Sequence, residues 1–324
     1  LDAHAASFFV VFAVLCYNFC MNEDRYVHLN KWLKQKFGER VLKICVDGGF
    51  TCPNRDGKCG YGGCIFCGEN GSGNLRSLSS ISQQVRAHLE SYRGERAEKF
   101  IVYFQSFTNT YDTITNLKKK YDEAVFSSDK IVGLSVATRP DCVTSEVAKL
   151  LHSYCDRFYV QVELGLQTAN DQTAELINRG YKTAQFARAV ETLTDYGIDV
   201  VAHIMVGLPN ETADDVRKTV EFLNTQKITG VKIHSTYVTR GTRLCEMFER
   251  GEYEPLTLEE YIESVVDILT HLRGDIVIHR ISGDAPKSDL VAPKWNAHKK
   301  LVLNGVDKIM REKNLFQGQF FERK

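Results

Sequence analysis

Short runs rich in β-branched and aromatic residues alternate with helical-period stretches along most of this chain. No other feature constrains the fold as tightly. The runs are VLKICVD (41–47), FIVYFQS (100–106), KIVGLSVA (130–137), FYVQVELGL (158–166), DVVAHIMVG (199–207), VKIHSTYV (231–238) and DIVIHRI (275–281). Helical periods lie between them at 80–92, 113–126, 145–154, 183–197, 212–226 and 258–272, with Thr212 and Thr257 suited to N-caps. Repeated strand–helix units dictate a parallel sheet with right-handed crossovers. The runs read as apolar throughout, as strands covered on both faces do. Six or seven units suit a closed or partly open (β/α) barrel better than a doubly wound sheet. Polar residues fall at the C-terminal ends of the runs, where such barrels carry chemistry. They include Gln105, Thr138, Arg139, Gln167, Gly207 and 239–241.

The 324 residues, 43% of them hydrophobic, suffice for one large domain with a small appendage. Residues 21–281 form the expected barrel, and 282–324 depart from the alternation as a C-terminal extension packed on it. Residues 7–20, SFFVVFAVLCYNFC, are an apolar run too short for a confident membrane span, and 1–6 lack the basic residues of a signal peptide. Residues 1–20 are read as an extension upstream of a start at Met21, with a membrane anchor as the alternative. Lys plus Arg equals Asp plus Glu at 41 each, so no large nucleic-acid footprint is advertised. Six of the ten cysteines are scattered, mostly in apolar runs as at Cys45, Cys155 and Cys245. They read as buried thiols of a cytoplasmic protein.

The other four crowd into TCPNRDGKCGYGGCIFC: Cys52, Cys59, Cys64 and Cys67. Thiolates hold zinc or iron–sulfur clusters, and two ligand sets compete. All four give a Cys₄ zinc site, although only one CxxC knuckle is present. Cys52, Cys64 and Cys67 give three ligands to a [4Fe–4S] cube and leave one iron open. The loop follows the first strand, at the chemical end of the barrel, where a purely structural zinc has no reason to sit. No P-loop, GxGxxG, HExxH or GxSxG element occurs.

A three-cysteine loop after the first strand resembles the radical S-adenosylmethionine (SAM) superfamily, whose common spacing is Cx3Cx2C; here the first gap is longer. The motifs CPNRDG, GGCIFC, YFQSFTNTY, ATRPDCV, VELGLQT and HIMVGLPNET, in this order, resemble its Elongator catalytic-subunit-like branch and, within it, bacterial YhcC/YtqA-type proteins. That resemblance implies a (β/α)6-type partial TIM barrel with short terminal extensions, a [4Fe–4S] cluster on Cys52, Cys64 and Cys67, and no ligand role for Cys59. It implies reductive cleavage of SAM to a 5′-deoxyadenosyl radical that takes hydrogen from substrate. It places Phe66 near the adenine. It sets Gln105, Ser106, Thr108 and Asn109 where a Gly-rich segment usually receives the methionine amino group. It puts Gln167 near the ribose, Arg179 near the carboxylate and Gly207 beside the adenine.

Arg139 and Asp141 read either as pocket lining or as turn structure, His203 as a core residue or a participant, and His279, Arg280 and Asp284 as a barrel-mouth loop or its capping. An external donor such as flavodoxin or ferredoxin is implied. The kinship points to tRNA wobble-uridine modification, with a small metabolite as the alternative substrate. A non-enzymatic Cys₄ zinc protein is the rival from another class. Basic stretches at 28–40, 117–121 and 298–300 are candidates for phosphate contact or ordinary solvated helix faces.

Overall fold

The computed structural model describes residues 24–69, 71, 77–285 and 287–322; the apolar run at 7–20 lies outside them. Seven parallel strands form one curled sheet: β1 (Val41–Val46), β2 (Lys99–Phe104), β3 (Ile131–Thr138), β4 (Tyr159–Gln167), β5 (Asp199–Val206), β6 (Gly230–Ser235) and, beyond a short strand β7 (Val238–Thr239), β8 (Val277–Arg280). Their spatial order is the chain order, β1-β2-β3-β4-β5-β6-β8, so the sheet is a partial barrel. The helices that follow the strands are α2 (Ile81–Leu89), α3 (Ile114–Val125), α4 (Ser145–His152), α5 (Asp171–Leu176), α6 (Thr183–Asp195), α7 (Ala213–Thr225), α8 (Arg243–Glu249) and α9 (Leu258–His271); α1 (Leu29–Phe37) precedes β1. Both expected caps form as capping boxes, Thr212 with Asp215 and Thr257 with Glu260.

The two faces of the sheet differ in chemistry. Outward residues such as Ile44, Phe104, Val136, Val162, Ala202 and Ile233 pack with helix residues Leu117, Leu151, Phe186 and Leu223 into one continuous core. The inward positions alternate with them and carry Lys43, Cys45, Tyr103, Ser135, Gln161, Glu163, His203, Lys232 and His234. The reading of strands apolar on both faces therefore fails for the inner face. An unclosed barrel keeps a lumen, and that lumen is polar. Cys45 is correspondingly exposed rather than buried, because it opens into this space; Cys155 is half-buried and Cys245 buried.

The N-terminal end of the barrel is closed by α1. Its Leu33 packs with Val41 and Ile101, with Trp32, Phe37 and Tyr159 around them. Just before it, Ile278 N–H donates to Val27 O at 2.8 Å, so the chain before α1 flanks the outer edge of β8. Residues beyond 281 are ordered against the barrel. β9 (Leu290–Ala292) pairs antiparallel with β7, and α10 (Lys299–Glu312) packs on α9.

Gln317 ties these ends together. Its backbone N–H donates to Arg25 O at 2.9 Å, its Oε1 accepts from Val27 N–H at 3.0 Å, and its Nε2 donates to Arg273 O and Ile276 O, each at 2.8 Å. The side chain is 4% exposed. Gln317→Ala strands three backbone groups away from water, and urea denaturation should show a loss of about 2–4 kcal/mol.

Candidate active site at the open end of the barrel

Residues 51–69 form no helix or strand, so borrowed hydrogen bonds shape the cysteine loop. Arg55 donates to Cys67 O at 2.9 Å and Gly68 O at 2.6 Å. Its guanidinium also lies over the Phe107 ring, 5.5 Å from the centroid, and so joins this loop to the one after β2. Asn54 Nδ2 donates to Asn178 O at 2.6 Å, and Asn178 returns Nδ2 bonds to Gly63 O at 2.7 Å and Tyr61 O at 3.2 Å. Ile65 N–H reaches Ile177 O at 3.1 Å. The segment from 177 to 181 thus clamps the cysteine loop from above β4.

Among the described residues no three thiol, imidazole or carboxylate groups are drawn together as ready metal ligands. Cys52 nevertheless acts on the ionisation of both Cys64 and Cys67. Burial pushes the Cys64 thiol up to about 12, and the other strong influences on it are Cys67, Arg139 and Cys52. Burial raises Cys67 too, opposed by Arg55. Cys59 is exposed and responds chiefly to its own desolvation, Asp141 and Arg139. Cys52 is thus near both Cys64 and Cys67, with cationic Arg139 and Arg55 beside them. Three thiols on a clamped loop suit an iron–sulfur cluster that displaces their protons.

The loop after β2 lacks the glycines usual at that place, yet Ser106 and Phe107 take the left-handed backbone that glycine would supply, with φ of 51° and 61°. Such residues cost about 1–2 kcal/mol each and mark functional sites. Ser106, Thr108 and Asn109 are buried, and Ser106 Oγ, Thr108 Oγ1 and Asn109 Oδ1 have no partner among the described residues. Asn109 is oriented by its Nδ2 bonds to Ser106 O (3.0 Å) and Ala137 O (2.8 Å). Its oxygen is thereby left to accept. Gln105 is half-buried beside them.

At the end of β4, Gln167 is also left-handed (φ 61°), and its Oε1 accepts from Tyr181 at 3.1 Å. Gly207 has φ 83°, and its carbonyl accepts from Tyr253 at 2.8 Å. Phe66 packs against the small core of Ile65, Ile177, Leu208 and Tyr253, which joins the cysteine loop to the ends of β5 and β6.

Arg179 corrects an expectation. It is fully buried. Its five donors go to Tyr181 O (3.0 Å), Leu166 O, Thr168 O (2.6 Å), Asp171 (3.3 Å) and Thr183 (3.4 Å). No donor remains for a ligand carboxylate. Arg179 instead anchors the segment that clamps the cysteine loop. Arg139 lies nearer the mouth, in a two-point pair with Asp141 at 2.9 and 2.7 Å, and donates to Arg179 O at 2.9 Å.

Below the loop, Glu163 is 1% exposed and occupies the middle of the lumen. It accepts from Lys43 (2.7 Å), Ser135 (3.1 Å), Gln161 (3.0 Å), His203 (2.8 Å) and Lys232. Burial alone would raise its pKa, but Lys232 and Lys43 hold it well below the carboxylate range. Burial lowers His203 to about 4 and Lys232 to about 8. The basic stretches on the outside look different. Lys118 pairs with Asp122, Lys120 with Asp112, Lys31 with Asp24 and Lys299 with Asp284, so part of each stretch is engaged with a neighbouring acid.

Comparison with known proteins decides the family. Residues 54–223 match the family model described as the Radical SAM superfamily, and residues 228–312 match the Radical_SAM C-terminal domain. The chain belongs to the radical SAM superfamily. It is 38% identical to YtqA of Bacillus subtilis over 93% of this chain and 94% of YtqA. It is also 31% identical to Elongator complex protein 3 of Mus musculus, over 52% of this chain and 30% of that protein. The solved Elp3 of Methanocaldococcus infernus, truncated at its N-terminus, superposes with a TM-score of 0.65 at 22% identity, over 86% of this chain and 64% of that one, and so shares the fold. Radical SAM enzymes use a [4Fe–4S] cluster and SAM, with an external reductant. Among the described residues no helix is long and apolar enough to cross a membrane.

Sequence reasoning missed Asn54, Arg55 and Asn178 as clamps, although NRDG and NRG stand in the motifs. It also missed Lys43 and Lys232, each a lysine inside an otherwise apolar strand. Two outcomes follow from this radical SAM site. Arg179→Lys supplies three donors for five acceptors and should cost about 2–4 kcal/mol by urea denaturation. Because Arg179 anchors the segment that clamps the cysteine loop, Arg179→Lys should also lower the iron held after anaerobic reconstitution, read by iron analysis.

The second concerns pH. The folded pKa of His203, about 4, lies below the ordinary 6.5, so the unfolded chain takes the proton first. Its contribution is full above the ordinary value and is lost as pH falls towards about 4. Glu163 adds a further loss below the ordinary carboxylate range. The urea midpoint should fall across that window, by about 2–3 kcal/mol for His203, and His203→Gln, which keeps a donor for Glu163, should flatten that part.

Proposed function

We propose that this radical SAM enzyme holds its [4Fe–4S] cluster on Cys52, Cys64 and Cys67 and takes hydrogen from a substrate in the lumen beneath them. The observation that carries this reading is the clamped loop that holds buried Cys64 and Cys67 within reach of Cys52 and beside Arg55 and Arg139, while Cys59 is exposed. When bound, the cluster supplies the electron that cleaves SAM into methionine and a 5′-deoxyadenosyl radical. The chain's own residues bind and orient. Asn109 Oδ1, Ser106 Oγ and Thr108 Oγ1 are three neighbouring acceptors that lack donors, as a methionine ammonium requires. Gln105 and Gln167 border the same mouth, with Gln167 set by Tyr181 to meet the ribose. Phe66 and Gly207 form the apolar side on which an adenine stacks.

For the substrate, the likeness to Elongator complex protein 3 supports a tRNA wobble uridine, and a cytoplasmic site of action follows from that substrate. Lys31, Lys118, Lys120 and Lys299 in the external basic stretches are paired with acids and add no support for RNA contact there. Residues 282–324 are taken as an extension of the barrel unit at 21–281.

Iron content after anaerobic reconstitution tests the ligand set. Cys59→Ala should keep about four irons per chain, and Cys52→Ala, Cys64→Ala and Cys67→Ala should each lose most of them. One zinc per chain that depends on Cys59 as well would overturn the assignment. For the substrate, an unmodified tRNA transcript should raise 5′-deoxyadenosine formation above the uncoupled rate; no stimulation would remove tRNA.

A further inference from the structure

The lumen carries more positive charge than its acids neutralise. Lys43 and Lys232 share the single carboxylate of Glu163, and the charged groups acting on Lys232 are Glu163, Lys43 and Arg280. Arg280 is paired only towards the outside, with Asp284 at 2.6 Å, whose side chain is 51% exposed. The three nearby histidines do not compensate. His203 donates to Glu163, and burial holds His234 and His279 neutral. Lys43 and Lys232 together thus carry one more positive charge than the Glu163 carboxylate they share. Such surplus is costly, and sites that tolerate it hold a partner of opposite charge when they work.

An independent observation marks the same space. His234 Nε2 and His279 Nδ1 are buried and have no hydrogen-bond partner among the described residues. His234 lies against His203 with ring centroids 5.3 Å apart and the rings tilted by 40°, and it feels Arg280 most strongly among its charged neighbours. His279 lies over Gly230, where a Cβ would stand 2.7 Å from its Nε2, so glycine there makes room for the ring. Tyr237 lies within the electrostatic reach of Arg280, Asp284 and Cys67, so this end of the lumen is close to the cysteine loop.

We propose that Lys232, His234, His279 and Arg280 form a binding site for an oxyanion, the carboxylate or phosphate of the substrate. This rests on the reading that substrate enters the lumen beneath the cluster. The ammonium and guanidinium supply charge, and the two imidazole nitrogens supply the directed hydrogen bonds. Glu163 keeps Lys232 pointed and limits the net charge.

Cys45 provides the test, because its thiol opens into the same lumen and lies within the influence of Lys232, Lys43 and Arg280. The full chain with its cluster reconstituted is alkylated with iodoacetate, which carries a carboxylate, or with neutral iodoacetamide, and the rates are read by peptide mass spectrometry. The half-buried Cys155, outside the barrel, is the internal control. The iodoacetate-to-iodoacetamide rate ratio at Cys45 should exceed that at Cys155 by about tenfold or more. Arg280→Gln should lower it and Glu163→Gln should raise it. Inorganic phosphate or malonate should slow the iodoacetamide reaction at Cys45, and whichever protects better identifies phosphate or carboxylate as the group held. A ratio at Cys45 no higher than at Cys155, unmoved by Arg280→Gln, would overturn the proposal. Because the readout needs no SAM cleavage, it stands or falls apart from the radical chemistry.

Discussion

The buried guanidinium of Arg179 fixes the upper end of this barrel. Five acceptors from 166–183 converge on it, and the segment it gathers supplies Ile177 and Asn178 to the cysteine loop. The loop has no regular structure of its own. Without that clamp only Arg55 and a few turn hydrogen bonds would oppose the chain entropy that works against fixed thiol positions. A charge whose donors are all engaged, by three backbone carbonyls and the side chains of Asp171 and Thr183, is a rigid post, and that is the use made of it here.

A second constraint comes from leaving the barrel open. Strands that point one face at a solvated lumen cannot fill it with aliphatic side chains, and this sheet fills it with a network centred on Glu163. Such a network specifies one arrangement because each member is costly when unpaired. It also divides labour. The outer face stores the stability in a continuous apolar core, and the inner face is released for chemistry. The left-handed backbone at Ser106, Phe107 and Gln167 places strain at the rim, between the two.

Much of this was legible in the sequence. The strand–helix alternation gave the parallel sheet and its order, because parallel neighbours demand crossovers. The Thr212 and Thr257 caps were readable because capping is local chemistry. What could not be read was direction. Alternation puts Lys43 and Cys45 on one face, but nothing in VLKICV says whether that face meets the helices or the lumen, so the apolar run reads as burying Cys45 although it opens to the lumen. Arg179 was misassigned for a similar reason. Its charge and its place after β4 suit a carboxylate, and only the fold shows its donors already engaged. The loop after β2 was hard to interpret because glycine is the usual sign of a left-handed turn, and here Ser106 and Phe107 adopt one without it.

The claim on which the account depends is that the clamped cysteine loop presents a cluster with an open iron to SAM. Electron paramagnetic resonance of the anaerobically reconstituted, reduced protein, recorded with and without SAM, tests it directly. The account predicts a [4Fe–4S]⁺ signal whose shape SAM changes, followed by 5′-deoxyadenosine on incubation. A colourless protein without that signal, or a cluster signal that SAM leaves untouched and that yields no 5′-deoxyadenosine, would contradict it.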